Sequence, residues 1–286
     1  MRIRFRCAAL CASAGASLLI SSGAFAAPRT AWTLSTGATY SSGDYGDLTD
    51  TKVFAVPFSL TVRTGNWRFR ASIPWVSISG PALLIQTPGG SGSGGGGPGG
   101  GPGPSGGDAV GDDNGGSGGG GSHDHTGRRS GIGDFNLAAT YDLDLGHDFY
   151  LEPGVKLKVP TASRPKRIGT GKADVTVSSD LVKDIGPWTF YAGARRRFVG
   201  QATGFNLRST WGAGAGASFR ATRRVLVGAD YDWQQSAVQG RGPSSELSGW
   251  ASMPLVSRAR LTLSATKGFT RNSARYAAAA IVSYRF

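Results

Sequence analysis

The carboxy-terminal stretch from Arg275 to Phe286 reads R-Y-A-A-A-A-I-V-S-Y-R-F. In an extended strand these side chains alternate between two faces. One face is small or polar, and the other is apolar with aromatic residues at both ends: Tyr276, Ala278, Ala280, Val282, Tyr284 and Phe286. Such an apolar face is typical of a strand that crosses a bilayer, which takes roughly 9–11 residues when tilted. A strand of a soluble sandwich would alternate in the same way, so this stretch alone leaves both structures open.

The same alternation recurs from Ala27 onward, whereas helical periodicity does not. We predict twelve strands, a count that could differ by two, at residues 32–40, 54–63, 67–75, 135–143, 149–159, 175–181, 188–198, 211–219, 225–233, 247–255, 261–269 and 275–286. The predicted fold is therefore all-β. It is an antiparallel transmembrane β-barrel of about 12 strands that occupies residues 27–286.

The connections between these strands give an independent test. After the even-numbered strands they are very short, as at Thr64-Gly65 and Ile185-Gly186. After the odd-numbered strands they are longer, as at residues 42–51 and 161–172. Short periplasmic turns and longer outside loops are typical of an outer-membrane barrel with both termini in the periplasm. A soluble sandwich has no reason to sort its loops in this way, so we favour the barrel.

Residues 1–26 have the features of a secretory signal peptide. Arg2, Arg4 and Arg6 precede an apolar stretch, and Ala24-Phe25-Ala26 is a small-x-small cleavage site. Both cysteines of the chain lie in this segment, so the mature chain has no disulfide. Together with the barrel, the signal peptide predicts export to the outer membrane of a Gram-negative bacterium.

The chain after residue 26 is basic, with 28 Lys and Arg residues against 18 Asp and Glu residues. An exported protein rarely meets nucleic acid, so we predict no nucleic-acid partner. We expect the positive charge to face a polar lumen or the lipid and lipopolysaccharide of the outer membrane. No apolar run after the signal peptide approaches the roughly 18–20 residues of a membrane helix.

A glycine-rich segment at residues 80–131 interrupts the strand pattern and is predicted to be a long extracellular loop. Its sequence His123-Asp124-His125 could bind a metal, but this spacing is weakly diagnostic and the loop offers no rigid supporting shell. We therefore predict no metal site and no cofactor. The mature chain has only three histidines, and none is placed with a serine as lipid hydrolysis would need, so we predict no enzymatic activity.

Charged residues of both signs fall on the predicted lumen face of the strands. Most would form a lattice of ion pairs that fills the wall, and some would tune the selectivity of a polar path. The candidates for lining that path are Arg70, Glu152, Lys156, Lys158, Asp180, Arg195, Arg197, Asp230, Asp232 and Glu246. Twelve strands lie between the packed eight-stranded barrel and the open 16–18-stranded porin. A narrow pore is therefore feasible, and the loop after the third strand could constrict it.

Two further patterns concern the wall of the barrel. Gly212, Gly214 and Gly216 put no side chain on the lumen face, which would widen the interior or admit an inserted loop. Arg196 and Lys267 interrupt the apolar face. Either they face lipid near the outer end, where a cation costs only ~0–1 kcal/mol, or a local bulge turns them inward.

Six short segments occur in the same order as in a known family: Ile73–Pro81, Gly131–Phe135, Val159–Thr161, Gly169–Asp174, Lys267–Phe269 and Ser283–Phe286. Through them the chain from Trp32 to Phe286 resembles the outer-membrane transporter family associated with the meta-pathway of phenol degradation. The glycine-rich segment is longer than this family usually shows. The resemblance implies a barrel that passes small compounds, aromatic ones among them. The final Phe286 also resembles the signature by which the barrel-assembly machinery recognises such proteins.

These patterns together predict an outer-membrane channel or transporter for the passive passage of small solutes. The alternative is a structural or surface-interaction barrel that acts through its glycine-rich loop. A conducting lumen distinguishes the first function from the second.

Overall fold

The computed structural model describes residues 30–81, 127–202 and 206–286. These residues form the strands β1 (Ala31–Gly43), β2 (Thr51–Thr64), β3 (Trp67–Ser79), β4 (Arg128–Ile132), β5 (Phe135–Tyr141), β6 (Leu143–Gly146), β7 (Phe149–Val159), β8 (Asp174–Ile185), β9 (Trp188–Phe198), β10 (Thr210–Arg220), β11 (Leu226–Gln234), β12 (Ser244–Val256), β13 (Ala259–Gly268) and β14 (Tyr276–Arg285). Within these ranges no helix is long and apolar enough to cross a membrane. The predicted signal peptide, His123, His125 and most of the glycine-rich segment lie outside the described residues.

The strands form one closed antiparallel sheet. Neighbours in the chain pair with one another, and β1 closes the sheet by pairing with both β2 and β14. The segments β4, β5 and β6 lie end to end between β3 and β7, so they make a single barrel strand. Among the described residues, the fourteen segments therefore build a barrel of twelve strands, and the predicted fold is confirmed.

The two ends of the barrel differ in their connections. At one end, which we call the turn end, short turns join the strands; Gly65 in the turn after β2 has a φ of 55°, which other residues rarely adopt. At the other end, the loop end, the connections include residues 44–50, 160–173, 235–243 and 269–275. The loop lengths therefore alternate as the sequence predicts.

The boundary of the predicted glycine-rich loop needs one correction. Strand β4 begins at Arg128, inside the range 80–131 that the sequence assigns to the loop. Arg128 and Arg129 continue the ladder because β3 extends far enough to offer Ser79 and Ile78 as partners. Composition had suggested that the whole range was loop, but an adjacent strand edge supplies the backbone hydrogen bonds that order its last residues.

A bulge divides β4 from β5. Trp75 pairs with Ile132 and Ser72 pairs with Asn136, so two intervening residues of β3 lie opposite three of the partner strand. An extra residue on one strand re-aims the side chains beyond it. As a result Asp134 faces the lumen, where it is buried beside the next strand.

The pattern of burial is the reverse of that in a soluble protein. Large apolar side chains on the outer face are exposed, whereas Ser, Thr and charged side chains on the inner face are buried. Exposed examples from around the barrel are Trp32, Phe58, Leu137, Val177, Phe190, Trp211, Leu247, Leu263 and Tyr284. An apolar exterior around a polar interior is the arrangement that a bilayer selects, because lipid solvates apolar side chains and cannot solvate polar ones.

Aromatic side chains form two girdles on this exterior. At the turn end Trp67 packs against Tyr141 with ring centroids 4.9 Å apart, and Trp188 packs against Phe219 at 4.7 Å. A second set near the loop end includes Tyr40, Phe54, Trp75, Phe198, Trp211 and Tyr276. Girdles of this kind mark the two membrane–water interfaces of a transmembrane barrel.

Candidate functional site

The lumen has two walls of different charge. We call β13, β14, β1, β2 and β3 the acid-free wall, because these five neighbouring strands contain no Asp or Glu. We call β4 to β12 the mixed wall, because acids and bases from these strands meet on the lumen side.

Asp174 organises the mixed wall near the loop end. Its Oδ2 lies 2.7 Å from Lys158 Nζ and 2.8 Å from Arg197 Nη2, and its Oδ1 accepts a hydrogen bond from the Gly200 amide. Lys158 also lies 3.6 Å from Asp134 Oδ2. All four charged side chains are buried. Buried charges at these distances compensate one another, and removing one partner would leave others uncompensated.

Arg195 makes a second ion pair that crosses a whole strand. From β9 it reaches over β10 to Asp232 on β11, where Nη1 and Nη2 each donate a hydrogen bond of 2.8 Å. Nη2 also donates to Gln234 Oε1 at 2.8 Å. The side chain lies flat on Gly212, since a Cβ at Gly212 would come within 2.8 Å of the guanidinium. The absence of a side chain at that position is what lets the pair span two strand spacings.

Further glycines are covered in the same way. The Tyr191 hydroxyl donates to Asp230 across Gly216, and the Trp250 ring lies against Gly228. For Gly212 and Gly216 this corrects the expectation that the glycines of β10 widen the interior or admit an inserted loop. They are instead a floor on which larger side chains from neighbouring strands lie.

Arg68 joins the two walls at the turn end. From β3 its Nη2 lies 2.6 Å from Glu152 Oε2 on β7 and 3.6 Å from Asp142 Oδ1. Glu152 is only 1% exposed, so it depends on this cation for its charge compensation. Arg68 is therefore the arginine of the acid-free wall that the mixed wall neutralises.

The other lumen-side arginines of the acid-free wall have no such partner. Arg63, Arg70 and Arg285 form no ion pair with any residue that the structure describes. Arg70 donates one hydrogen bond to Ser59 Oγ at 3.3 Å, and its buried Nε has no partner among the described residues. Arg260 donates only to neutral oxygens, including those of Ser252. All of these arginines lie in the half of the lumen nearest the turn end.

The loop end of the lumen is filled by an apolar cluster. Ile168, in the loop 160–173, is 2% exposed and lies against Gly131, where a Cβ would come within 2.8 Å of its Cδ1. The cluster comprises Tyr45, Val53, Ala55, Val76, Ile78, Ala162, Ile168 and Ala274. Residues 160–173 thus fold into the lumen. The sequence had suggested the loop after β3 as the constriction, but most of that loop lies outside the described residues.

The neighbouring loops are tied together above this cluster. Arg241 donates from Nη1 to the Tyr45 carbonyl at 2.8 Å and from Nη2 to Asp47 Oδ1 at 2.9 Å. Arg275 makes two hydrogen bonds with the Asp50 carboxylate. Burial of the Tyr45 hydroxyl raises its pKa well above the usual range, so this side chain stays neutral in the cluster. These contacts hold the loops at the loop end against one another.

Arg196 and Lys267 face outward, which decides between the two orientations that the sequence left open. The Arg196 guanidinium lies 4.9 Å from the centroid of the Trp211 ring and 5.9 Å from that of Phe198. Lys267 is exposed on the same face as its apolar neighbours. Both lie near the loop end, where the aromatic girdle offers the Arg196 cation a favourable ring face.

The ten lumen candidates predicted from the sequence all lie on the inner face of the barrel. They are Arg70, Glu152, Lys156, Lys158, Asp180, Arg195, Arg197, Asp230, Asp232 and Glu246. Nine belong to the mixed wall, where ion pairs and hydrogen bonds hold most of them, and Arg70 alone belongs to the acid-free wall. Their part in lining a solute path stays a prediction.

The apolar cluster at the loop end is what the sequence reading missed. A signal for it existed, because the lumen-side residues of β2 and β3 near the loop end are apolar: Val53, Ala55, Val76 and Ile78. Apolar side chains that face the interior of a barrel are expected to pack against other apolar groups there.

No model of a known protein family matches this chain, and no curated protein matches it. Solved structures do. The NanC porin aligns with a TM-score of 0.52 and 8% identity, over 88% of this chain and 98% of that one. The KdgM porin in complex with disordered oligogalacturonate aligns with a TM-score of 0.50 and 9% identity, over 89% and 99%. The CymD monoaromatic hydrocarbon channel aligns with a TM-score of 0.42 and 15% identity, over 91% and 88%. The two porins show that this chain has the fold of an outer-membrane β-barrel.

Proposed function

We propose that the protein is an outer-membrane channel through which small solutes pass passively. The observation that supports this function is the lumen of the closed barrel, which is lined by hydroxyl and charged side chains below the apolar cluster. Polar groups inside a membrane are costly unless they serve one another or a water-filled path. On the mixed wall the charged side chains form ion pairs with one another, whereas on the acid-free wall polar groups remain for contact with water and solute.

Passage requires the loop 160–173 to move, because Ile168 and its neighbours fill the loop end. Full burial of an Ile side chain contributes about 1.5–3 kcal/mol. Each 1.4 kcal/mol changes a population tenfold, so this contact alone favours the closed arrangement by one to two orders of magnitude. We therefore expect the channel to be closed for most of the time.

Single-channel recording in planar lipid bilayers tests the proposal. Substitution Ile168→Ala removes apolar contacts at the centre of the cluster, at a cost of about 2–5 kcal/mol in a packed core. We expect the fraction of time spent open to rise at least about tenfold over the native chain, because the loss falls on the closed state. Leu48→Ala is the matched control, since Leu48 is fully exposed in a neighbouring loop and should leave the recording unchanged.

The result that would contradict the proposal is a barrel that conducts in neither form. Folding must be shown in the same preparation, by the retarded migration of unheated barrels on gels. If both the native chain and Ile168→Ala fold, carry no current and admit no solute into liposomes, the protein is not a channel.

Three further expectations belong to this proposal. The loop end would face outward, so that Arg196 and Lys267 meet the phosphates of lipopolysaccharide. Phe286, which is 64% exposed and packs on Tyr284 at 5.1 Å, would be read by the barrel-assembly machinery during insertion. The family resemblance in the sequence supports aromatic compounds as one class of solute.

A further inference from the structure

We infer that the acid-free wall is an anion path, and that the channel prefers small organic anions, carboxylates foremost, to cations. This inference rests on the proposed channel function and names its solute class. It is carried by the separation of charge between the two walls, by the arginines that form no ion pair, and by a cluster in which three arginines share two acids.

The separation of charge is complete over five strands. Along β13, β14, β1, β2 and β3 the charged side chains on the lumen side are all arginines: Arg63, Arg68, Arg70, Arg260 and Arg285. Of these, Arg68 is neutralised by Glu152 and Asp142. A cleft lined by one sign of charge between walls of low dielectric focuses the field and concentrates counter-ions. The field along this side of the lumen is therefore positive.

The arginines also lie together, which costs free energy. Arg63 and Arg68 are direct cross-strand neighbours on β2 and β3. Arg68 and Arg285 are both close enough to Arg63 for their charges to repel it. Like charges directly opposite one another destabilise a sheet. Asp142 and Glu152 also act on Arg63, but their ion pairs are with Arg68, so the three cations Arg63, Arg68 and Arg285 share two acids. A passing anion supplies the missing charge.

The chemistry of the wall above these arginines suits the same solute. Its lumen side carries hydroxyl groups, among them Ser35, Ser59, Thr262, Ser264 and Ser283. Hydroxyls can donate hydrogen bonds to an anion, and guanidinium groups bind planar carboxylates with two parallel hydrogen bonds. A carboxylate that enters past the hydroxyls would therefore meet donors along its way and reach the arginines at the turn end.

The inference is tested by reversal potentials across a KCl gradient. For the native channel we expect chloride to be preferred to potassium by at least about threefold, because charged clefts develop potentials of several kT. The triple variant Arg63→Gln, Arg70→Gln, Arg285→Gln should bring this ratio close to one. Arg68 is left intact in that variant, because it compensates buried Glu152.

A second variant covers the case in which the triple variant does not fold. Thr33 lies directly across from Arg285 on β1. Thr33→Asp therefore adds a carboxylate beside an arginine without removing any existing contact between charges, and it should lower the anion preference while the barrel remains stable. The control is Arg271→Gln in an exposed loop, which removes one positive charge away from the lumen arginines and should leave the ratio unchanged.

The outcomes separate this inference from the function on which it rests. A folded chain without conductance overturns the channel function itself. A conducting channel that shows no preference for chloride overturns the anion path and leaves the channel function intact. Replacement of chloride by acetate should preserve the anion preference, and exclusion of acetate would overturn the assignment of carboxylates.

Discussion

The acid-free wall and the mixed wall follow the same alternating pattern, yet they use arginine in opposite ways. On the mixed wall Arg195 and Arg197 are each fixed by carboxylates at 2.8 Å. On the acid-free wall Arg63, Arg70 and Arg285 face the lumen and form no ion pair with any acid among the described residues. The presence of charged side chains in the lumen therefore does not by itself identify a solute path, because most of these side chains hold the wall together.

The physical reason lies in desolvation. A buried charge must be compensated by an opposite charge. On the mixed wall the charged side chains compensate one another, so they are less available to a solute. On the acid-free wall Arg285 is exposed, so it needs no such partner and remains free to bind. The two walls can therefore be told apart by substitutions of the same kind, whose effects on stability should differ.

The largest difference is expected for loss of the carboxylate that joins two cations. Asp174→Asn leaves Lys158 and Arg197 with less compensation inside the mixed wall, and breaking such a buried pair costs about 3–5 kcal/mol. The free energy of unfolding by urea, measured in lipid vesicles by tryptophan fluorescence, would report this loss.

Asp50→Asn is the matched control for that change. Asp50 pairs with Arg275 at 2.9 Å, but both side chains are about half exposed, at 40% and 52%. An exposed pair contributes at most about 1 kcal/mol. Equal losses for the two variants would show that burial does not distinguish the pairs, and the comparison of the walls would fail.

An intermediate loss of stability is expected where a larger residue replaces a glycine of the floor, on which a neighbouring side chain lies. In Gly212→Val the new Cβ would displace the Arg195 guanidinium from Asp232 and Gln234, and hydrogen bonds to charged groups contribute about 1.5–3 kcal/mol each. We expect a loss of about 2 kcal/mol in the same unfolding measurement, since part of the contact can re-form.

Gly249→Val serves as the control, because a Cβ at Gly249 meets no atom within 4 Å. A β-branched residue on an open strand surface is neutral or favourable. If Gly249→Val were as damaging as Gly212→Val, loss of glycine itself would be responsible, and the floor would have no special role.

The smallest effect is expected on the acid-free wall. Arg285→Gln removes a charge that holds no partner, so the free energy of unfolding should stay within about 0.5 kcal/mol of the native value. Arg195→Gln, the same substitution on the mixed wall, should cost clearly more because it leaves Asp232 uncompensated. A similar loss for both would indicate a structural partner for Arg285 and would count against an anion path.

Much of the fold could be predicted because period-two alternation is local. Trp32, Leu34 and Tyr40 face outward in the structure as the sequence predicts, and so do the aromatic residues of β14. The alternation of short and long loops could be predicted equally well, because it depends only on the number of residues between successive strands. The bulge before Asp134 and the three-part strand β4–β6 were not readable, since they depend on the partner strand.

The partners of the lumen charges could not be predicted for a different reason. Arg195 and Asp232 are 37 residues apart and lie on strands that do not touch, so their contact depends on the register of three strands and on the empty face of Gly212. The position of Ile168 depends likewise on how a loop folds back over Gly131. Both are properties of the closed barrel.

Residue order alone sets the alternation, the apolar face of each strand, and the lack of acids in β1–β3 and in β13–β14. The reason is that each strand distributes its own side chains between lipid and interior. Which charges are neutralised and which are left open depends on the folded barrel, because neutralisation needs atoms from different strands within about 3 Å of one another. Closure of the sheet placed the acid-free strands side by side, and that made scattered arginines into one wall.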